Sequence, residues 1–545
     1  MIRLSIRAII GLAAIYAITL ASTAHASPDK KVKPPTVHTK EGRVIGSTVG
    51  AINEFLGIPY AKPPVGNLRW QPPRIHGRFS GGVLTADKFG NACIQPHFAA
   101  SSEDCLYLNV YTPTSATPLS ALPVMVWIHG GALVKGNAAD FDPTALVQQG
   151  GVIVVTINYR LGYFGFFAQS AIDAEKHLHG NYGLMDQQFA LQWVQKNIAG
   201  FGGDASEVTI FGESAGGESV YANVASLTAA SLFRGAISES GANVFQGLFD
   251  PIVTLATGET TGTALVPSGS AIAASVGCTS IHHSAEAKCL RAVSAATLVA
   301  EEPATVHPFV DGTVLTQTPS AAFASGEFNQ VPMISGSNHD EYRYFIAEQY
   351  DLGPLGPLTD AEYPAAVGAV VRQPVTSPMV ESLVDTEYPL SNYPPPMDYS
   401  VSAPLALGAL GTDFMFACAA RNANLSLAAN HVPVYAYEFN DETAPSVFST
   451  PLSFPPGDCH TVELQYLFVT DPSPLMGDQI DLSNTMIGYW TQFAKTLNPN
   501  SSGAPTWPEY GAGGSIESLV SPTPTTETDA SFDSDHQCSS YWNTF

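Results

Sequence analysis

Residues 208–217 have the sequence VTIFGESAGG, in which an apolar run leads directly into a turn of small residues centred on Ser214. Residues 219–227, which follow the turn, have a helical composition. A serine on a sharp turn from a strand into a helix has its hydroxyl exposed above the sheet, and the glycines on either side let neighbouring backbone pass without a Cβ clash. The five-residue pattern G-x-S-x-G is weak alone, but its place between a strand and a helix predicts that Ser214 is a nucleophile.

Short runs of β-branched residues recur on both sides of this segment. They are bounded by turn residues and lack strict alternation, as is typical of strands buried on both faces of a parallel sheet. The runs are residues 124–128, 152–157, 208–211, 331–335 and 434–439. Such runs, alternating with helices, predict an α/β fold with a large, mostly parallel central sheet, helices on both faces, and cap or loop insertions.

A helix is predicted between two of these runs, over residues 185–198, because Met185, Phe189 and Trp193 repeat at a spacing of four residues and form one apolar row. Residues 350–400 are rich in proline and tyrosine and fit no regular element. They are predicted to form a cap or a pocket wall beyond the sheet.

The first 26 residues have the pattern of a secretory signal. Arg3 and Arg7 precede an apolar core at residues 8–21, and Ala24-His-Ala26 provides a cleavage site of small residues. We therefore expect export, either secretion or delivery to a periplasm, with the mature chain running over residues 27–545 as a single domain. The apolar core is too short to span a bilayer comfortably, so no stable membrane anchor is expected.

The acidic balance of the chain limits its partners. The formal net charge is −25, which repels nucleic acid and anionic membranes. No cofactor is implied. Cys-x-x-Cys pairs are absent from the sequence, and His177-x-His179 and His282-His283 have no ligand partners near them in the chain, so no metal site is predicted.

The seven cysteines of an exported chain indicate disulfides. Cys93 with Cys105 and Cys278 with Cys289 would each close a short loop. The three others, which are Cys418, Cys459 and Cys538, leave one thiol over.

Residues 129–132, with the sequence HGGA, follow the predicted strand 124–128 and lie upstream of the serine. An anionic tetrahedral intermediate needs backbone N–H donors, and small residues bring the main chain close to the substrate oxygen. The segment is therefore predicted to supply such donors.

Motifs along nearly the whole mature chain carry a family resemblance. In order they are GIPYAKPPVG (57–66), LRW (68–70), EDCLYLN (103–109), WIHGG (127–131), NYRLG (158–162), NYGLMDQ (181–187), FGGD (201–204) and FGESAGG (211–217). The sequence resembles the type-B carboxylesterase family, which includes cholinesterases, fungal lipases and the catalytically silent neuroligins. The resemblance implies the α/β-hydrolase fold and hydrolysis of carboxylic esters.

The resemblance also implies the partners of Ser214. The acid is Glu341, in residues 336–341 (GSNHDE), and the base is His460, just before residues 463–468 (ELQYLF). Serine, acid and histidine then follow in the chain order of this fold. The implied oxyanion donors are the N–H groups of Gly131, Ala132 and Ala215. Ser240 matches a serine near the acid, and Glu213 is expected to give electrostatic support.

The same resemblance implies the disulfides Cys93–Cys105, Cys278–Cys289 and Cys418–Cys538, with Cys459 free. A rival pairing joins Cys418 to Cys459 and leaves Cys538 free. Arg69 and Glu103 match a structural ion pair of the family.

The loop between Cys93 and Cys105 bears on the substrate, because it has only eleven residues and Phe98 is its only aromatic. Lipases of the family carry an amphipathic lid there, and cholinesterases carry a longer loop with a tryptophan. The expected substrates are therefore small to medium uncharged esters. A lipase acting on longer acyl esters is the alternative, and a silent adhesion module is the alternative of another class. Acyl preference, alcohol preference and oligomeric state cannot be deduced from the sequence.

Overall fold

The computed structural model describes residues 33–177, 180–245, 251–263, 266–469, 474–511 and 514–544. The predicted signal segment and His179 lie outside these ranges. The chain divides into two compact units, and the features below belong to the second unit, Pro35–Phe545.

An eleven-stranded sheet forms the centre of this unit, in the spatial order β11-β10-β9-β8-β7-β6-β4-β5-β3-β2-β1. Its strands are β1 Ser47–Val49, β2 Ile52–Pro59, β3 Tyr107–Pro113, β4 Leu122–Ile128, β5 Ile153–Ile157, β6 Gly203–Glu213, β7 Gly235–Glu239, β8 Met333–Asn338, β9 Val434–Phe439, β10 Ser515–Leu519 and β11 Thr525–Thr528. All neighbouring strands from β5 to β10 pair in parallel, and the pairs at both edges are antiparallel. The large, mostly parallel sheet predicted from the sequence is confirmed.

The described residues also form smaller sheets, separate from the central one. Thr36–His38, Arg43–Ile45 and Val83–Thr85 form one, and the pairs Phe166–Phe167 with Gly180–Asn181, Val253–Thr254 with Phe309–Val310, and Ala92–Cys93 with Ser101–Ser102 form the others.

The α-helices of the described residues are α1 Thr144–Gly150, α2 Gly162–Gly165, α3 Ser170–Asp173, α4 Tyr182–Asn197, α5 Ala215–Ala225, α6 Leu255–Thr260, α7 Gly269–Ser275, α8 His283–Ala292, α9 Ala295–Val299, α10 Pro319–Ser325, α11 Arg343–Ile346, α12 Tyr363–Val370, α13 Pro378–Ser382, α14 Ala403–Thr412, α15 Cys418–Ala429, α16 Asp478–Thr496 and α17 Asp529–Asp535.

Both faces of the inner strands are buried, which explains why these strands lack strict alternation. In β4, Val124, Val126 and Ile128 pack into one hydrophobic cluster with α4, α5 and α15. Met125 and Trp127 point the other way and pack into a second cluster with α1 and α16. Strands covered by helices on both faces bury apolar side chains at every position.

The segment 350–400 contains regular structure that was not predicted from the sequence. Helices α12 and α13 lie within it, and the expectation of no regular element there was wrong. Pro364 and Pro378 stand in the first turns of the two helices, where the missing N–H would have no helical partner in any case. The prolines therefore begin these helices instead of breaking them.

The stretch Ala403–Ala429 is long and apolar enough to cross a bilayer by length and composition. It comprises α14, a π-helical turn at Asp413–Ala417 and α15. In its most apolar 18-residue stretch, 89% is buried inside the protein. Burial of that extent is typical of a core helix.

Three disulfides cross-link the fold, Cys93–Cys105, Cys278–Cys289 and Cys418–Cys538. Cys459 is unpaired and buried. This is the pairing that the resemblance implies, and the third bridge ties α15 to the residues after α17.

Candidate active site

Ser214 occupies the turn between β6 and α5. Its backbone has φ 58° and ψ −126°, a sparsely populated conformation for a residue with a side chain. Its N–H donates to the carbonyl of Glu239 at 2.9 Å. The glycines at 212 and 216 are required by space, because a Cβ there would lie 2.5 Å and 2.0 Å from the carbonyl oxygen of Ile128. The turn therefore presses against the end of β4 and aims the serine outward.

The three residues predicted for acid, base and nucleophile come together at the carboxyl ends of the parallel strands. His460 Nε2 lies 2.8 Å from Ser214 Oγ, and His460 Nδ1 lies 2.5 Å from Glu341 Oε2. The other carboxylate oxygen of Glu341 accepts the N–H of Asn338 at 2.9 Å. The imidazole and the carboxyl group are buried. This hydrogen-bond chain is the arrangement in which an imidazole can remove a serine proton.

A second carboxylate also faces the imidazole. Glu213 Oε1 lies 3.2 Å from His460 Nε2. Burial by itself lowers the pKa of His460, but the carboxylates of Glu213 and Glu341 outweigh burial and raise the pKa to about 9. Burial raises the pKa of Glu213 to about 7, against the attraction of His460. The pKa values of both His460 and Glu213 are therefore higher in the site than in water, so the pair keeps a bound proton to higher pH.

The glycine loop after β4 is held in an unusual backbone conformation. Gly131 has φ 104° and Ala132 has φ 56°. In the described part of the chain, neither of their N–H groups donates to another backbone group. Ala215 is the first residue of α5, so its N–H has no partner within the helix. The three predicted donors thus lie on the two segments that meet at Ser214.

Several contacts fix this loop from behind. The carbonyl of Ala132 accepts the N–H of Val306 at 3.2 Å, and the carbonyl of His129 accepts the Tyr159 hydroxyl at 2.6 Å. The His129 ring stacks on Tyr159 with centroids 4.5 Å apart. Burial lowers the pKa of His129 to about 4, so the ring is neutral at ordinary pH. These supports were not predicted from the sequence.

An aromatic wall, formed by Tyr344, Phe345 and Phe416, surrounds the imidazole. Their ring centroids lie 5.8, 5.0 and 5.3 Å from that of His460. The sequence contained a signal for the first two, since they follow Glu341 by three and four residues. Phe416 comes from the π-helical turn and carried no such signal.

The short loop between Cys93 and Cys105 is fastened to the glycine loop. The amide of Gln95 donates to the carbonyl of Gly136 and accepts its N–H, both at 2.9 Å. Glu103, near the other end, forms two hydrogen bonds with Arg69 at 2.6 and 2.7 Å. The ion pair implied by the resemblance is therefore present in the structure, and it anchors this loop.

Ser240 and two further buried carboxylates lie near the predicted triad residues. The N–H of Ser240 donates to the carbonyl of Gly336 at 2.9 Å, but among the described residues its buried hydroxyl has no hydrogen-bond partner. Glu239 accepts the indole N–H of Trp490 at 3.0 Å, and Glu463 accepts the side-chain amide of Asn338 at 2.5 Å. Neither glutamate was predicted as part of the site.

The histidines considered as metal ligands do not cluster in the described residues. His177 contacts Glu175, and His283 begins α8. Two groups of possible ligand atoms do occur, and both share His339. One adds Glu438 and His536, and the other adds Asp340 and Asp458.

A serine at the strand–helix turn, facing a histidine and a glutamate that follow later strands of a mostly parallel sheet, defines the class of α/β-hydrolases. The family model described as the carboxylesterase family matches residues 33–538. The chain belongs to the carboxylesterase family, and it is a carboxylic ester hydrolase.

Individual relatives agree with this assignment. The chain is 36% identical over 506 residues to acylcarnitine hydrolase of Mus musculus, covering 87% of this chain and 85% of that protein. It is 34% identical over 535 residues to liver carboxylesterase of Sus scrofa, covering 88% of each. The solved structure of PNB esterase superposes with a TM-score of 0.72 at 29% identity, covering 92% of this chain and 99% of that one.

Proposed function

We propose that this protein is an exported serine carboxylesterase in which Ser214, His460 and Glu341 form the catalytic triad. The observation that carries the proposal is the continuous hydrogen-bond chain from Ser214 Oγ through the His460 ring to Glu341. A silent adhesion module on the same fold would have no use for a strained serine aligned with a buried imidazole.

The proposed reaction begins with His460 Nε2, which accepts the Ser214 proton as the serine oxygen attacks the ester carbonyl. The Glu341 carboxylate accepts a hydrogen bond from His460 Nδ1–H and offsets the positive charge of the imidazolium. The N–H groups of Gly131, Ala132 and Ala215 donate to the carbonyl oxygen as it becomes an oxyanion. His460 then gives its proton to the departing alcohol, and water repeats the cycle on the acyl-enzyme.

Small to medium uncharged esters in solution are the proposed substrates. The loop from Cys93 to Cys105 is closed by its disulfide and hydrogen-bonded to Gly136, so it has neither the length nor the freedom of an opening lid. The aromatic wall around His460 offers an apolar surface to the ester. Apolar surface without a mobile lid favours soluble esters over lipid droplets.

Export is proposed on two grounds. The first is the signal pattern of residues 1–26. The second is the set of three disulfides, because such bonds persist in oxidising compartments and are rare in the cytosol. N-terminal sequencing of protein recovered outside the cytoplasm, expected to begin at Ser27, tests this part.

The main experiment is a panel of esters that vary in acyl length and alcohol bulk. Ser214→Ala should lower kcat by roughly 10⁴-fold or more, because the remaining catalysis comes from binding and the oxyanion donors alone. An organophosphate should label Ser214 in the folded protein. A triad that is not catalytic would leave this residue unlabelled. A steep rise in rate only above the solubility limit of the ester would favour the lipase alternative.

A further inference from the structure

The loops that carry Glu341 and His460 touch through a pair of aspartates. Asp340 immediately precedes Glu341, and Asp458 stands two residues before His460. A carboxylate oxygen of each lies within 4.8 Å of the other and of a ring nitrogen of His339. Both aspartates are buried, with 7% and 0% of their surface exposed. Two acids that would repel each other when ionised are thus enclosed between the two loops of the triad.

The two aspartates differ in their partners. Asp340 Oδ2 accepts from Arg343 Nη1 at 2.7 Å, and Oδ1 lies 3.5 Å from the His339 ring. Neither oxygen of Asp458 meets a hydrogen-bond donor from any other residue that the structure describes. An ionised carboxylate that is buried without a donor is strongly disfavoured. Asp458 therefore needs to be neutralised.

A proton fits this need better than a metal ion does. Two cationic groups already lie against Asp340, because Arg343 binds one of its oxygens and His339 lies beside the other. Burial alone would lower the pKa of His339, but Asp340 and Glu438 raise it to about 9. Among the residues that the structure describes, Asp458 still has no donor of its own. A divalent cation would overshoot the balance beside a guanidinium that is 2.7 Å from the Asp340 carboxylate. Burial and the neighbouring Asp340 raise the pKa of Asp458 well above its ordinary value, in the same direction as the charge argument.

The two loops approach each other closely, and the missing side chain of Gly457 allows this approach. Gly457 has φ 58°, and a Cβ on it would lie 1.9 Å from Asp340 Oδ2. Asn338, the last residue of β8, also joins this region to the histidine loop, because its side-chain amide donates to the Cys459 carbonyl at 3.0 Å. The N–H of His460 also donates to the Glu341 carbonyl at 3.3 Å. The aspartate pair is part of this contact between the two loops.

We propose that Asp458 keeps its proton in the folded enzyme and donates it in a hydrogen bond to Asp340, so that it acts as a positioning residue between the loops of Glu341 and His460. The inference rests on the proposed triad. Ionisation of Asp458 would place two buried anions against each other and push apart the two loops that hold the acid and the base.

Other groups that titrate or carry charge face this pair. His339 and Glu341 lie on the same loop as Asp340, and Arg343 lies on α11. Cys459 and Tyr466 come from the histidine loop and the helical turn that follows it. A change in the pH profile therefore has to be assigned with a variant of Asp458 itself.

The test uses the full-length enzyme and three variants. Asp458→Asn offers an amide N–H to Asp340 and cannot ionise, Asp458→Leu offers no donor, and the exposed Asp398→Asn is the control. At neutral pH we expect Asp458→Asn to keep kcat within about three-fold and Asp458→Leu to lose about ten-fold or more with little change in KM, because a small misplacement of the base costs rate more than binding. The wild type should lose kcat at alkaline pH, and Asp458→Asn should not.

An infrared difference spectrum of wild type minus Asp458→Asn at neutral pH should show the C=O band of a protonated carboxylic acid. The proposal is overturned if this band is missing, if both proteins have the same alkaline limb, or if Asp458→Asn is as impaired as Asp458→Leu. Stoichiometric divalent metal in the wild type, lost in Asp458→Asn, would overturn it as well.

If Asp458→Leu does not fold, the infrared band and the alkaline limb of Asp458→Asn still decide the question. Failure of the triad proposal is distinguishable, because Ser214→Ala would then retain activity whatever the infrared spectrum shows.

Discussion

At the scale of single residues, the site combines backbone strain with buried charge. Ser214 and Ala132 both have positive φ although neither is glycine. Such conformations cost of order 1–3 kcal/mol each and persist where the surrounding structure enforces them. Here the enforcement comes from the carbonyl of Glu239 on Ser214 and from the N–H of Val306 on the carbonyl of Ala132. The first support comes from the end of β7 and the second from the segment between α9 and α10.

The carboxylate of Glu213 should set the pH at which the base becomes free. A raised pKa means that His460 stays protonated to higher pH, so kcat/KM should rise through an acid limb above the ordinary histidine value. Glu213→Gln removes one of the charges that raise this pKa and should move the limb to lower pH by roughly one unit. The measurement is kcat/KM against pH for a soluble ester. The control is Glu442→Gln on the surface, and an unmoved limb in Glu213→Gln would show that Glu213 does not act on His460.

At the scale of elements, sequence patterns predicted the strands well but did not predict the residues that surround the site from distant parts of the chain. The run 434–439 coincides with β9, and the run 208–211 lies within the buried end of β6. The helix after Ser214 begins at Ala215, four residues before the predicted start, because the glycines of the turn already belong to its first turn. Phe416 and Glu463 approach the site only through tertiary folding. No local period could have indicated them.

The contact between the short loop and the glycine loop should matter for rate. Gln95→Ala removes both hydrogen bonds to Gly136, so the proposed oxyanion donors at 131 and 132 lose a support. We expect kcat to fall by about three- to ten-fold, in line with one or two lost hydrogen bonds. Gln373→Ala, on an exposed position, is the matched control. Unchanged kcat in Gln95→Ala would mean that the glycine loop is held without this contact.

The disulfide that joins α15 to the C-terminal residues predicts a simple labelling pattern. Cys459 is buried, and burial raises the pKa of its thiol, so the native enzyme should resist thiol reagents. After unfolding without reductant, one label should be found, in the peptide that contains Cys459. Peptide mapping by mass spectrometry reads this out. A label on Cys538 would instead support the rival pairing with Cys418.

At the scale of the whole molecule, a buried ion cluster ties the C-terminal region to the sheet. His536 donates to Asp413 at 2.6 Å and to Glu438 at 2.7 Å, and all three are buried. Burial alone lowers the pKa of His536, but the two carboxylates raise it well above the ordinary value. The cluster therefore joins the π-helical turn, β9 and the residues after α17 through one protonated imidazole.

This cluster should make stability depend on pH. Because the folded pKa of His536 is raised, its stabilising effect is complete below the unfolded value near 6.5 and is lost as pH rises through the folded value. His536→Gln should lower the free energy of unfolding by about 3 kcal/mol at neutral pH, as expected for breaking a buried ion pair. Denaturant unfolding between neutral and alkaline pH should show this difference shrinking. His283→Gln is the surface control, and a difference independent of pH would exclude the charged form.

The positions of the three residues of the proposed triad also have a consequence for how the protein can be made and handled. They follow β6, β8 and β9, and His460 stands 246 positions after Ser214 in the chain. A nascent or truncated chain that ends before the last of these strands has the proposed nucleophile but lacks the proposed base. Return of ester hydrolysis after refolding therefore reports assembly of the sheet across all three strands, a stricter criterion than recovery of helical signal.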